Sequence, residues 1–406
     1  MHIADIKTFV VNNPPPQIGG RYFIFVKLTT NDGITGWGEA YVATAGPDVI
    51  VKMIEDVAAR HLHGHDPHHI ERFWRASYSS GFSQRPDITM AGCVSALEMA
   101  CWDIIGKAAG KPVHQLLGGR VHEALRSYTY LYPPSGSVYP DETEEKKNVY
   151  NDPDLAAQAA ALYVERDGFS AVKFDPAGPY TNYDPHQPRL VDIELSAKMV
   201  KAVREAVGTR ADILFGTHGQ FTPSGAARMA RAIEPYDPLW FEEPCPPDMP
   251  EAMAEIAAKT SIPIATGERL TSKYEFLRVL QLKAAQILQP DLGRSGGLLE
   301  TKKIAALAEA HHALVAPHCY CGPVVGAANI QLAACTPNFL VLEAIKDWGG
   351  FHAELLKKRL ICENGMTLIP TEPGLGVEVD EAVAEANPWT GGPLHLEMRA
   401  EPVGGV

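Results

Sequence analysis

From Leu125 onward the chain alternates short apolar strands with helices, and this alternation constrains the fold more than any other feature. Strands are predicted at LRSYTYLY, SAVKFDP, ADILFGTH, LWFEEP, PIATGE, AQILQPD, ALVAPH and NFLVLEA. Helical segments separate them, among them DPDLAAQAAALYVERDG, DIELSAKMVKAVREAVG, SGAARMARAIEPY and LETKKIAALAEAHH. Eight strands, nearly every one followed by a helix, describe an α/β fold of the (β/α)8 TIM-barrel type. A doubly wound sheet does not need eight such units, and its Gly-rich phosphate turn is missing here.

The barrel is predicted over residues 125–378. Residues 1–124 read as an α+β cap. IADIKTFVV, YFIFVKLTT and ITGWGEAYV suggest an antiparallel meander with an Asn-Asp-Gly turn. Helical periodicity then runs from DVIVKMIEDVAARHL to a long helix ending on Gly110, with Lys111-Pro112 behind it. The segment 379–406 is expected to pack back on the cap. Two loops interrupt this plan: NPPPQIGGRY inside the cap, and PPSGSVYPDETEEKKNVYNDP after the first barrel strand. A connection as long as the second is usually a functional lid or disordered.

Composition narrows the partners. With 406 residues, 46% hydrophobic and 21% charged, the chain can bury a large core. A net charge of −13 argues against nucleic acid, which requires a basic face. It leaves room for an anionic substrate, because a metal or local cations can invert the field in one pocket. No run approaches the ~18 uninterrupted apolar residues of a membrane span, and MHIADIKTFVV lacks the features of a signal peptide. Seven scattered cysteines suit reduced thiols, so a cytoplasmic location is expected. Cys319 and Cys321 are close, but a C-x-C pair without matching partners makes a poor zinc site.

In a barrel, chemistry sits at the C-terminal ends of the strands. The polar residues ending the predicted strands are Lys173 and Asp175, His218, Glu242 with Glu243, Glu268, Asp291, His318 and Glu343. Glu242 and Glu268 lie on adjacent strands, roughly 5 Å apart laterally. They either share a proton, bind a hard divalent cation such as Mg2+, or pair with a cation such as Arg269. Asp291 beside His318 fixes the imidazole tautomer and raises its basicity, the arrangement of a general base. His218 is a candidate acid, or a supporting donor. Lys173 neutralises a substrate carboxylate, faces an enolate, or is a counterion for Asp175. Glu343 hydrogen-bonds an enediolate oxygen or pairs with Lys346 or Lys173. The histidines of HLHGHDPHHI, and His311 with His312, read as solvated.

Taken in order, these residues resemble the mandelate racemase subgroup of the enolase superfamily over nearly the whole chain. The resemblance rests on SALEMACWDIIGKAAGKPVHQLLGG, WFEEP, TGE, LQPDLGRSGG, APH and EPGLGVEVD. The HGQ of FGTHGQ, with LQPD and APHCYCGP, is closest in pattern to galactonate-type sugar-acid dehydratases. This resemblance implies Glu242 and Glu268 as Mg2+ ligands and His318 paired with Asp291. It further implies His218 as general acid and Glu343 near the enolate oxygen. Two positions depart from the pattern. Asp175 stands where a second-strand lysine base is often found, which favours one-base dehydration over racemisation. Gly216 stands where the family places its first metal-binding aspartate. Asp212 is no substitute, because four residues of strand put it about 13 Å away.

The expected reaction is loss of water from an aldonate or aldarate, giving a 2-keto-3-deoxy acid. An epimerase or lactone cycloisomerase on the same scaffold, or a silent sugar-acid-binding barrel, are the competing readings. Substrate selection is expected from Arg21, Tyr22 and Tyr41 of the cap, from Asp175, and from Tyr130, Tyr132 and Tyr139 around the long insertion. Relatives of this kind are commonly symmetric homo-oligomers, which is the expectation here too.

Overall fold

Inward-facing residues, spaced two apart along each strand, define the barrel in the computed structural model, which describes residues 1–132, 148–178 and 181–395. Its eight parallel strands are β4 (Ala124–Tyr130), β5 (Ala171–Phe174), β6 (Asp212–Phe215), β7 (Trp240–Glu242), β8 (Ile264–Thr266), β9 (Ile287–Leu288), β10 (Leu314–Val315) and β11 (Leu342–Glu343). Each pairs in parallel with the next from β4 to β10, and β11 pairs with β4. A parallel bridge between Val315 and Phe339 closes the ring.

Tyr128, Ala171, Leu214, Trp240, Ala265, Ile287, Ala316 and Val341 fill the barrel interior as one buried cluster. Side chains on a strand alternate between its faces, so the next inward position lies two residues on. Those positions are Tyr130, Lys173, Gly216, Glu242, Gly267, Gln289, His318 and Glu343. The apolar floor of the barrel therefore carries a polar layer directly above it. A larger apolar cluster packs the outer faces of the strands against the surrounding helices.

The cap begins with an antiparallel sheet in the order β1 (Ile3–Asn12), β2 (Tyr22–Thr30), β3 (Thr35–Ala40). Helices α1 (Pro47–His61), α2 (Ile70–Tyr78) and α3 (Ile88–Ala109) pack on it around their own apolar cluster. The α3 helix starts at Asp87, whose carboxylate accepts from the Met90 N–H, and stops at Gly110 in the left-handed conformation. Among the described helices, only α3 is long and apolar enough to cross a membrane, and most of it is buried inside the fold.

Two carboxylates of the cap fasten it to the barrel. One helix (Leu298–Ala310, here α10 as the tenth described α-helix in chain order) follows β9, and the next (Pro323–Ala334, α11) follows β10. Glu98 of α3 accepts from the Leu298 and Leu299 N–H groups. Glu39 of β3 accepts from Gly322, Val324 and Val325. The first N–H groups of a helix have no partner within it and carry its positive pole, so these two glutamates complete barrel helices from outside the barrel.

An antiparallel hairpin, β12 (Cys362–Glu363) and β13 (Met366–Leu368), adds to the start of β4. A final helix, Glu381–Ala386, lies on β1, where Glu381 pairs with Lys7 and Lys27 and Glu385 with Lys7. Beyond it Trp389 bonds to Val10 and packs on Tyr22.

Candidate active site

The polar layer above the barrel floor gathers most of the singled-out residues into one buried cluster. Lys173, only 1% exposed, donates to Glu242 Oε1 at 2.5 Å and lies 3.9 Å from Glu343 Oε1. It thus pairs with Glu242 rather than with Asp175. Burial alone would lower the ammonium pKa, but Glu242, Glu343, Glu268 and Asp175 more than reverse this and hold it protonated. The second oxygen of Glu242 accepts from Trp240 Nε1 (3.0 Å) and Gln289 Nε2 (2.8 Å). Burial pushes the Glu242 carboxyl up in spite of these donors.

Glu268 stands between two imidazoles. His318 Nε2 is 3.1 Å from Glu268 Oε2, and His218 Nε2 is 3.8 Å from Oε1. Burial opposes ionisation of Glu268, but His318, His218, Lys173 and Arg269 outweigh it and hold the carboxyl low. Arg269 itself pairs with Glu243, not Glu268. His318 Nδ1 bonds to Asp291 Oδ2 at 2.6 Å. Burial depresses the His318 pKa, yet Glu268, Glu343 and Asp291 carry it the other way, to about 9. The ring therefore has a strong affinity for a proton at Nε2, fixed in tautomer by Asp291. Glu343 is held by the Cys319 N–H (2.8 Å).

On the neighbouring strands, Asp175 accepts from the Tyr130 hydroxyl through both oxygens (2.8 and 2.9 Å) and approaches His218 Nδ1 at 3.4 Å. Its position accounts for Gly216. A Cβ at residue 216 would overlap the Asp175 carboxylate. The carboxylate missing from β6 is thus replaced in space by one from β5, a relation that strand-by-strand reading of the sequence does not show.

Whether a divalent cation suits this site can be judged from its donors. Among the described residues no group of three His, Cys, Asp or Glu side chains forms a ready-made cage. Glu242, Glu268 and Asp175 are nevertheless three carboxylates over one barrel mouth, and Glu268 Oε2, beside His318 Nε2, is buried with no aligned hydrogen bond among the described residues. With Asp291 and Glu343 the site holds five carboxylates against Lys173 and its histidines. A substrate carboxylate would add to that excess. Mg2+ keeps several waters and binds through a few carboxylates plus substrate. The residues fit such an ion.

The cap closes the His318 side. Tyr41 stacks on His318 with ring centres 5.8 Å apart, and Arg294 lies over Tyr41 at 3.9 Å while bonding to Tyr41 O and Glu268 O. Tyr22 packs against Trp389 and His395 rather than standing free, and Arg21 presents its backbone N–H to His395. Tyr132 lies buried beside Tyr130, and Tyr139 falls outside the described residues. The histidines of the cap turn do not join the site, and His311 and His312 are exposed. All seven cysteines are free, and Cys319 and Cys321 are buried neighbours.

Sequence reasoning missed four contributors. Gln289 sits two residues before Asp291, an inward spacing that was readable. Arg294 lies within the quoted LQPDLGRSGG, and Tyr320 within APHCYCGP, without a role. His395 had no local signal at all. A cleft of about 570 Å³ lies away from this cluster, lined by His69, Glu71, Arg72, Trp102 and Leu299. Cleft size does not locate the site, whose side chains are already packed together.

Comparison with known proteins identifies the family of this fold. Residues 7–118 match the family described as mandelate racemase / muconate lactonizing enzyme, N-terminal domain, and residues 154–383 match the enolase C-terminal domain-like family. D-galactonate dehydratase of Ralstonia nicotianae is 35% identical over 392 residues, covering 94% of this chain and 93% of the relative. D-xylonate dehydratase of Haloferax volcanii is 32% identical over 393 residues, covering 95% and 88%. A solved structure from Labrenzia alexandrii DFL-11, described within the mandelate racemase/muconate lactonizing enzymes, is 63% identical. It superposes with a TM-score of 0.95 over 99% of both chains.

Proposed function

Because the chain belongs to the mandelate racemase/muconate lactonizing enzyme family of the enolase superfamily, we propose that it is a hydro-lyase that dehydrates a sugar acid. The substrate is an aldonate or aldarate and the product a 2-keto-3-deoxy acid. The observation that carries this reading is the pair of imidazoles addressing opposite oxygens of Glu268, one backed by Asp291 and the other by Asp175.

Mg2+ held by Glu242, Glu268 and Asp175 would supply positive charge against the substrate carboxylate. His318 takes the C2 proton at Nε2, while Asp291 keeps Nδ1 protonated and supports the imidazolium that forms. His218 gives a proton to the C3 hydroxyl as it departs, so the C2–H and C3–O bonds break and one water leaves. The resulting enol becomes the 2-keto acid by tautomerisation. Lys173 faces the carboxylate end of the substrate, where negative charge grows as the C2 proton leaves, and Glu343 flanks the same place.

The replacement of a second-strand base by Asp175 supports elimination over racemisation, since His318 is then the base on one face only. Relatives named as galactonate and xylonate dehydratases support the same class of substrate. The direct test incubates the purified protein with a library of aldonates and aldarates, with and without Mg2+, in deuterated buffer. Formation of a 2-keto-3-deoxy acid is expected. Exchange at C2 without loss of water would instead establish an epimerase or cycloisomerase, and binding without exchange a silent barrel.

A further inference from the structure

His395, delivered from the C-terminal tail, lies at the edge of this site, is 3% exposed, and belongs neither to the barrel nor to the cap sheet. The Arg21 N–H donates to its Nδ1 at 3.2 Å. A ring nitrogen that accepts from an amide carries no proton, so the ring hydrogen of the neutral imidazole is on Nε2. That Nε2 is buried and, among the described residues, has no hydrogen-bond partner. A buried donor left without an acceptor costs about 1–3 kcal/mol, a cost that an acceptor on a bound ligand would remove.

The surroundings point to where that acceptor lies. The ring stands edge-on to Tyr41 (5.4 Å between centres), and the other face of the arrangement is Tyr41 stacked on His318. Tyr320 is 5.6 Å away and Tyr22 6.1 Å. His395 is thus one aromatic ring removed from His318. A Cβ on Gly20, whose φ is +127°, would overlap the imidazole, so the loop before Arg21 admits the ring only because residue 20 is glycine. Burial, with Arg294, Arg21 and His318 nearby, lowers its pKa to about 3 and keeps it a neutral donor across the physiological range.

We propose that His395 is a specificity-determining residue, donating from Nε2 to a hydroxyl on the part of the sugar acid remote from its carboxylate. This rests on the sugar-acid reading of the site, in which Lys173 and the barrel mouth hold the carboxylate end. A chain of several carbons then extends past His318 and Tyr41 toward the tail. A three-carbon hydroxy acid such as glycerate occupies the barrel end alone and does not reach His395.

The test measures calorimetric affinities of glycerate and of five- and six-carbon aldonates for the full-length protein and for His395→Phe and His395→Gln. His395→Phe is expected to weaken the best long aldonate about 10-fold, the equivalent of ~1.4 kcal/mol, and to leave glycerate unchanged. His395→Gln is expected to recover much of the loss, because an amide both accepts from Arg21 and donates onward. Equal weakening of short and long acids, or no change in either, overturns the assignment. Emission from Trp389 reports whether the tail remains docked in each variant. Deuterium exchange at C2 and keto-acid formation by the unmodified protein report separately on the dehydration itself, so failure of one reading is distinguishable from failure of the other.

Discussion

The two halves of the barrel mouth are built to different tolerances. On the β9–β10 side, Asp291 is fully buried and His318 only 6% exposed. The helices that follow these two strands are completed by Glu98 and Glu39 of the cap. On the β5–β6 side, Asp175 and His218 are 12% and 26% exposed, and no buried cap carboxylate completes the helices there. Removal of a proton from a weak carbon acid demands a base fixed within a few tenths of an ångström. On the proposed mechanism, the more rigid half is the one that removes the proton.

Replacing the two histidines should break the comparison most sharply. His318→Asn is expected to lower turnover by three orders of magnitude or more, within the range of general-base catalysis, and to abolish C2 exchange. Surviving exchange would remove His318 from the base role. His218→Asn is expected to cost about 10²-fold in dehydration while exchange continues, followed by proton NMR in deuterated buffer. If both reactions continued unchanged, the acid side would carry no chemistry.

Smaller effects test how each half is held. Because a side chain at residue 216 collides with Asp175, Gly216→Asp alone is expected to weaken Mg2+ binding roughly 10-fold. Adding Asp175→Gly should restore it. Titration calorimetry decides, and a single variant that binds more tightly would show that Asp175 is no surrogate. On the base side, Glu39→Ala leaves three buried N–H groups without an acceptor and should cost about 1–3 kcal/mol for each that water cannot reach. Chemical denaturation measures that loss, and unchanged stability would mean the cap is held by apolar packing alone.

A further effect is one of pH. His352 donates to the Cys321 carbonyl behind the β10 loop, and burial lowers its pKa to about 4. Below the ordinary histidine value near 6.5 the unfolded chain takes up a proton that the folded one refuses. Its contribution to stability is therefore lost as pH falls from about 6.5 to 4, at up to ~1.4 kcal/mol per pH unit. His352→Gln should show a shallower acid limb in denaturation between those values. An identical slope would mean the imidazole titrates freely in the fold.

Much of this was legible because strand alternation is a strict geometric rule. The eight strands, the cap meander and the residues ending each strand follow from periods of two and 3.6, and Gln289 could have been added by the same count. The Asn364-Gly365 turn, with φ of +52° and +67°, carries the Asn-Gly signal of a two-residue hairpin. Other features depend on contacts between distant segments. Asp175 filling the space at Gly216 is a fact about volume shared by two strands. Glu39 and Glu98 on barrel helices, and His395 under Gly20, join parts of the chain hundreds of residues apart. None of these leaves a pattern within any one window.

The cap carboxylates at the starts of α10 and α11 also limit how this molecule can be cut. A fragment beginning near residue 120 would retain all eight strands and every side chain of the polar layer. Two helices beneath the His318 imidazole would lose their first-turn acceptors. Such a truncated barrel, however well it expressed, would be loosened at the corner that holds His318 and Asp291, and grafting the cap onto a foreign barrel would require transplanting both glutamates with it.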